Sequence, residues 1–307
     1  GKNKNYEKKK QSILIIKHGA FGDLIQSDGI FKSIKNRHPN SHFCLLTSSL
    51  FKELMMKSPY FEDIIVDNRV SFWKLKNYLC LLKQIYSKNF SYIYDLQNSQ
   101  RTLIYKFFLL KNVSWITTQR EDHPISGLQG LIDMLKKDGM KSKEIYDPDL
   151  SWMVNDVSSL LKKNKIDKNY IVLIPGSSKK HPEKRWPFYK EIAIKFKSCG
   201  YDVINILGPD ELDLKQSLFG HIFDTLDWGG LAGIIYNSSF VLGNDSGPSH
   251  IASCLKKPGI AIFGPTTSGS KSELDREPFQ TFETDDLNRL SSEDLFKVIK
   301  NKYDFLR

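Results

Sequence analysis

Ile13-Leu14-Ile15-Ile16 forms a short unbroken apolar run, closed by Lys17-His18-Gly19, and from residue 24 to 35 apolar positions recur at helical spacing. The pattern predicts a strand, a loop and a helix. Further strands are predicted at residues 43–46, 64–66 and 92–94, with a helix over 74–87. Strands that read as continuous apolar runs are buried on both faces. Their alternation with helices predicts a parallel sheet with helices on either side.

A helical stretch at 128–137 gives way to a polar segment, 141–148, suited to carry the chain between domains. The pattern then restarts. Tyr170-Ile171-Val172-Leu173-Ile174 is a strand closed by Pro175-Gly176, followed by a helix at 188–197 and a strand at 202–207. Strands at 239–242 and 260–263 flank a helix running from about 248 to 255. At 307 residues the chain also exceeds the roughly 250–300 at which one core stops growing. The expectation is an α/β protein of two facing Rossmann-like domains, 1–160 and 161–307, with the last helix packing back on the first. In sheets of this kind ligands sit beyond the carboxyl ends of the strands, which makes a cleft between the domains the expected site.

Composition is that of an ordinary globular protein, 40% hydrophobic and 26% charged. Lys and Arg outnumber Asp and Glu by 45 to 35, giving +10. One tight cluster (Lys2, Lys4, Lys8, Lys9, Lys10) reads as a solvated tail. The remaining surplus favours anionic partners: phosphates, an acidic membrane surface or nucleic acid. No run approaches the ~20 apolar residues of a membrane span and no secretory leader precedes Ile13, so a cytosolic protein, or one at the cytosolic membrane face, is expected. Cys44, Cys80, Cys199 and Cys254 lie far apart without metal-like spacing and read as buried thiols.

Four segments carry candidate chemistry. Gly243-Asn244-Asp245-Ser246-Gly247-Pro248-Ser249-His250 follows a buried-type strand and opens a helix, where backbone N–H groups and the helix dipole attract phosphate. Asp245 either caps that helix or orients a neighbouring donor, and His250 either donates to a phosphate or packs on the helix. Ser177-Ser178-Lys179-Lys180-His181-Pro182-Glu183-Lys184-Arg185-Trp186-Pro187 combines hydroxyls with a basic loop suited to a diphosphate, Lys184 being the best single cation. The alternative is an exposed basic loop with Trp186 as a packing anchor.

In the first half, Lys17-His18-Gly19-Ala20-Phe21-Gly22-Asp23 lacks the GxGxxG spacing, and no acid ends the next strand, which disfavours a dehydrogenase. Asp23 is a helix N-cap or a general base. His18 in this loop, with Gln97, Ser99 and Arg101 of Asp95-Leu96-Gln97-Asn98-Ser99-Gln100-Arg101, are candidates for the acceptor side. For the last two, a cap at Ser99 and a surface Arg101 are the plainer alternatives.

Together these segments resemble the heptosyltransferases of lipopolysaccharide core synthesis, inverting GT-B enzymes of glycosyltransferase family 9, over residues 13–269. The most specific part is 243–250 followed by Gly264-Pro265-Thr266. The resemblance implies Asp23 as catalytic base and Lys184 as the lysine on the donor diphosphate. It implies donor contacts from Ser177, Ser178, Asp245, Ser246, Gly247 and His250, with Glu211 on the nucleotide ribose. The loop between Ser178 and Lys184 is longer than in the best-known members, which brings Lys179 and Lys180 into the same role.

The activity so implied is metal-independent, cofactor-free heptosyl transfer from an ADP-linked sugar to a phosphorylated glycolipid of the lipid A–Kdo type, with peripheral contact at the anionic inner membrane face. Two alternatives remain at this level: a relative using another hexose or N-acetylhexosamine nucleotide, and a non-catalytic nucleotide- or nucleic-acid-binding protein. Against nucleic acid, no aromatic side chains are interleaved with the basic loops as stacking platforms require.

Overall fold

A computed structural model describes residues 9–108, 113–117, 132–133, 135–137, 139, 147–177, 180–266 and 274–304. The chain divides into two compact units, Gly1–Pro148 and Asp149–Arg307. The division falls at the end of the polar segment 141–148, ahead of the expected boundary at residue 160.

The first unit carries strands β1 (Ser12–Ile16), β2 (His42–Thr47), β3 (Asp63–Val66), β4 (Tyr92–Asp95) and β5 (Ser114–Thr117) in one parallel sheet of order β3-β2-β1-β4-β5. Ile13 to Ile16 are buried on both faces, as their unbroken apolar run requires. The order reverses between β1 and β4, where Ile16 is level with Asp95. Such a reversal splays the two connecting loops apart and leaves a crevice at the strand ends.

The second unit repeats the plan with β6 (Tyr170–Ile174), β7 (Asp202–Ile206), β8 (His221–Phe223), β9 (Phe240–Asn244), β10 (Gly259–Phe263) and β11 (Phe279–Glu283). Its six parallel strands run β11-β10-β9-β6-β7-β8, so the reversal lies between β6 and β9. Ile171, Leu173, Phe196, Phe240 and Ile262 anchor its core. The last helix, Ser292–Lys302, contributes Leu295 and Ile299 to this same core.

Several expectations are corrected. The predicted helix 24–35 is two helices, Phe21–Gln26 and Asp28–Arg37, meeting at Ser27, whose hydroxyl donates to the Asp23 carbonyl at 2.7 Å and competes with the regular ladder. Cys44 and Cys254 are buried, but Cys80 and Cys199 are exposed, because each lies on the solvent side or end of its helix. Burial pushes the Cys44 thiol up to about 12. Half of the predicted helix 128–137 lies outside the described residues. Among the described residues no helix is long and apolar enough to cross a membrane.

Candidate functional site

The second unit's reversal point is built around Asn244, the last residue of β9, which is fully buried. Its amide nitrogen donates to the carbonyls of Pro175 (2.9 Å) and Gly176 (3.1 Å), at the end of β6. Its amide oxygen accepts from the Trp186 backbone N–H (3.2 Å) and the Tyr189 hydroxyl (2.8 Å). Both N–H donors and both lone pairs are thereby used, which fixes the amide's orientation. One side chain ties the ends of two neighbouring strands to the start of the following helix.

Trp186 is the packing anchor that its plainer reading describes: it is buried, and its indole N–H donates to the Leu290 carbonyl at 2.8 Å. Anchoring Trp186 fixes the two residues before it. Lys184 closes a short 3-10 turn, Pro182–Lys184, and its Nζ lies 3.0 Å from the Asp245 carboxylate. Asp245 is therefore not an unopposed charge beside an anion site. Of its two open readings, orienting a neighbouring donor is the one realised, because the N-cap residue of helix Gly247–Cys254 is Ser246.

Ser246 makes no side-chain capping bond, and its carbonyl accepts from the Ser249 N–H at 3.2 Å. Pro248 sits in that first turn, where its missing N–H is not needed. His250 is half-buried one turn further on. Gly243 allows the close packing behind this turn: a Cβ there would press on Ile174 and the Ser249 hydroxyl.

Ser177 is almost wholly buried, its hydroxyl donating to the His181 carbonyl (2.8 Å) and accepting from Arg185 Nε (3.3 Å). It closes the loop internally. Ser178 and Lys179 lie outside the described residues, and Lys180 is exposed. A third loop, after β7, contributes Glu211, whose carboxylate accepts from the Gly208 N–H at 2.8 Å. Burial raises its pKa, with Arg185 opposing that shift. The carboxyl of Glu211 also occupies the space that a Cβ at Gly176 would need. Three loops thus converge at the ends of β6, β7 and β9. Asn244 and Arg185, neither singled out by sequence pattern, are what hold them.

In the first unit the corresponding reversal is bridged by Lys17, buried with its Nζ 3.4 Å from the Leu96 carbonyl, and by the His18 N–H, which donates to Gln97 Oε1 at 3.1 Å. Burial lowers the pKa of Lys17, while the charges of Asp23 and Asp95 act to raise it. Asp23 is exposed at the third position of helix Phe21–Gln26, whose N-cap is Ala20; the capping reading of Asp23 is thereby corrected. Gly19, at φ +138°, makes the turn that admits this helix.

Each of the four acceptor-side candidates makes framework contacts. His18 is fully buried, with Nε2 2.8 Å from Asp67 Oδ2. Arg101 grips Asp67 through Nε (3.1 Å) and Nη2 (3.0 Å) and donates from Nη1 to the Val70 carbonyl (2.8 Å), so it is not the surface residue of its plainer reading. Tyr105 adds a hydroxyl to the same carboxylate. Burial alone would raise the Asp67 pKa, but these hydrogen bonds reverse the effect and hold it well below the usual range. Ser99 caps helix Gln100–Phe108, accepting from the Thr102 N–H at 3.2 Å. Gln97 ties the β1 and β4 loops through the contact to His18. Among the described residues no group of three or more His, Cys, Asp or Glu stands close enough to hold a metal ion.

Comparison with known proteins finds similarity to one family. Residues 132–278 match glycosyltransferase family 9 (heptosyltransferase). The lipooligosaccharide heptosyltransferase 2 of Campylobacter jejuni is 24% identical over 263 residues, spanning 80% of this chain and 79% of that one. A family 9 glycosyl transferase from Veillonella parvula shares the fold with a TM-score of 0.80 at 17% identity, over 95% of this chain and 97% of that one. For the ADP-heptose LPS heptosyltransferase II of E. coli the TM-score is 0.74 at 16% identity, over 95% and 98%. Two parallel-sheet units with these neighbours share the GT-B fold. Over residues 132–278 the chain is thus similar to glycosyltransferase family 9, and its relatives at 23–24% identity are heptosyltransferases.

Proposed function

We propose that the chain is an inverting transferase that moves a heptose from ADP-heptose onto a lipopolysaccharide core acceptor of the lipid A–Kdo type. The observation that carries this reading is the Lys184–Asp245 pair, held beside the helix start at Gly247. An ammonium has three donors, so Lys184 keeps capacity for phosphate oxygens while bonded to Asp245. The positive end of the helix dipole adds to it. Ser246, Gly247 and His250 line the same turn, and Glu211 offers a carboxylate suited to ribose hydroxyls. Ser177 and Ser178 belong to the same loop. Heptose is the sugar of the relatives, one of which is an ADP-heptose enzyme.

In the reaction, Asp23 takes the proton of an acceptor hydroxyl as its oxygen bonds to the anomeric carbon. The bond from that carbon to the diphosphate breaks, and ADP leaves with the electron pair. General-base help of this kind contributes about 10²- to 10⁴-fold, and fixed cationic and N–H groups stabilise the departing charge. The reaction is written with no cofactor or metal. A lipid-linked acceptor puts the working enzyme at the cytoplasmic face of the inner membrane, a location that a charge of +10 favours.

The test is incubation of the purified chain with lipid A–Kdo acceptor and ADP-heptose, UDP-glucose or UDP-N-acetylglucosamine in turn. ADP release and a heptose mass increment on the acceptor, with neither UDP-sugar used, are expected. Transfer from a UDP-sugar alone would overturn the choice of donor.

A further inference from the structure

The helix Leu75–Ser87 carries two apolar stripes. Tyr78, Leu81 and Ile85 face the first unit's core. Leu75, Leu79 and Tyr86, spaced i, i+4 and i+11, form a second, exposed stripe beside it, and Leu75 is 64% exposed. A helix with one side to fill needs only the first stripe.

The same excess continues on either side. Trp73, just before this helix, is 93% exposed, and Phe107, on helix Gln100–Phe108, is 69% exposed. The exposed rings cluster about the buried Tyr78: Phe72 lies 4.9 Å from it between centroids and Phe108 6.3 Å, with Phe107 5.5 Å from Phe108. Contiguous exposed apolar patches of this sort mark interaction sites.

Charge selects the partner. Between Asp67 and Glu121 the sequence has nine Lys and Arg and a single acid, Asp95, which is wholly buried. On the helix, Lys76 and Lys83 are exposed and flank the outer stripe. Leucine, phenylalanine and tryptophan bordered by lysine, with no exposed acid among the described residues of this span, is the composition of a surface that lies in a lipid interface. A protein partner would need to offer an acidic and apolar face together, whereas an anionic bilayer offers both everywhere.

We infer that this face of the first unit is a docking surface for a bilayer containing anionic phospholipid. The inference deepens the reading of a membrane-borne acceptor, and its test does not depend on turnover.

The experiment is co-sedimentation of the full chain with vesicles of phosphatidylethanolamine and phosphatidylglycerol in about a three-to-one ratio, against phosphatidylcholine vesicles. Two double variants accompany it, Trp73→Ser with Phe107→Ser and Lys76→Glu with Lys83→Glu. The unaltered chain is expected to partition onto the anionic vesicles only, less so as salt rises, and each variant to lose about tenfold or more in partitioning. ADP binding serves as the folding control and should stay unchanged. Equal partitioning of the chain and both variants would overturn the inference. So would a dimer that Trp73→Ser with Phe107→Ser converts to monomer without any effect on vesicles, since the face would then be a self-association surface. Loss of ADP binding by the unaltered chain, with vesicle binding intact, would count against the donor site alone.

Discussion

Lys184 and Asp245, 61 positions apart in the chain, meet at 3.0 Å across the two strand ends where the second sheet reverses its order. The pair solves the problem that a carboxylate poses at an anion site: Asp245 holds the cation in place and is itself neutralised. Replacing Lys184 with Ala is expected to weaken ADP binding by about 10- to 100-fold, the scale of a charge-assisted hydrogen bond. Asp245→Asn is expected to weaken it by a smaller factor, through loss of orientation. Calorimetric titration with ADP checks both, and tighter binding by Asp245→Asn would show that Asp245 merely repels the ligand. Both side chains are partly exposed, so the change in thermal stability should correspond to no more than about 1 kcal/mol.

Asn244 has all four of its hydrogen-bonding positions filled, and none exchanges with solvent. Asn244→Asp turns a carboxylate toward the carbonyls of Pro175 and Gly176. A loss of about 3 kcal/mol or more is expected near neutral pH, since an unpaired buried charge is added to two lost hydrogen bonds. The midpoint of urea unfolding measures it. A midpoint unchanged from that of the unaltered chain would mean that the three loops are held by something else.

Gly176 and Glu211 compete for one volume. Gly176→Ala is expected to push the Glu211 carboxyl aside and lower ADP affinity, while adding Gly176→Ala to Glu211→Ala should have little further effect. The double-mutant cycle in ADP dissociation constants gives the coupling, and strict additivity would contradict it.

The first unit has an acid-sensitive support. Asp67 is held as a carboxylate by His18, Arg101 and Tyr105, its folded pKa lying below the roughly 3.9 of an unfolded Asp. Its contribution is therefore present above about pH 4 and lost as the pH falls toward the folded pKa. Asp67→Asn should lower stability at pH 7 by about 3 kcal/mol or more, because Arg101 is left without its buried partner, and should flatten the stability profile below about pH 4. Chemical unfolding as a function of pH measures both, and parallel profiles for the two proteins would remove Asp67 from this role.

Much of the fold is legible in hydrophobic pattern because its strands are buried on both faces. Tyr170–Ile174 reads as a strand from an unbroken apolar run ended by Pro-Gly, and the structure places it there. The edge strands do not read this way. His221–Phe223 is three half-buried residues, and Phe279–Glu283 alternates with polar side chains, so neither stands out from a loop. Helix Trp228–Tyr236 is hidden by its glycines, which let the helix pack closely against Asn155 and Val157 at Gly229 and Gly233. The loops rich in charge and hydroxyls announce themselves by composition. Asn244 does not, because a polar residue at the end of an apolar strand resembles the start of a turn, and only the sheet order brings Pro175 and Trp186 to it. For the same reason His18 and Arg101 look like free polar groups along the chain, although folding turns them inward onto Asp67.

The central claim is that Asp23 is the base of a glycosyl transfer whose donor is held by Lys184 and the helix start at Gly247. Turnover and ADP affinity of Asp23→Asn, measured side by side with ADP-heptose and a lipid A–Kdo acceptor, test it most directly. A fall in kcat of about 10²- to 10⁴-fold is expected, with the ADP dissociation constant unchanged. Turnover that survives the substitution, or an ADP affinity that falls in step with it, would contradict the assignment.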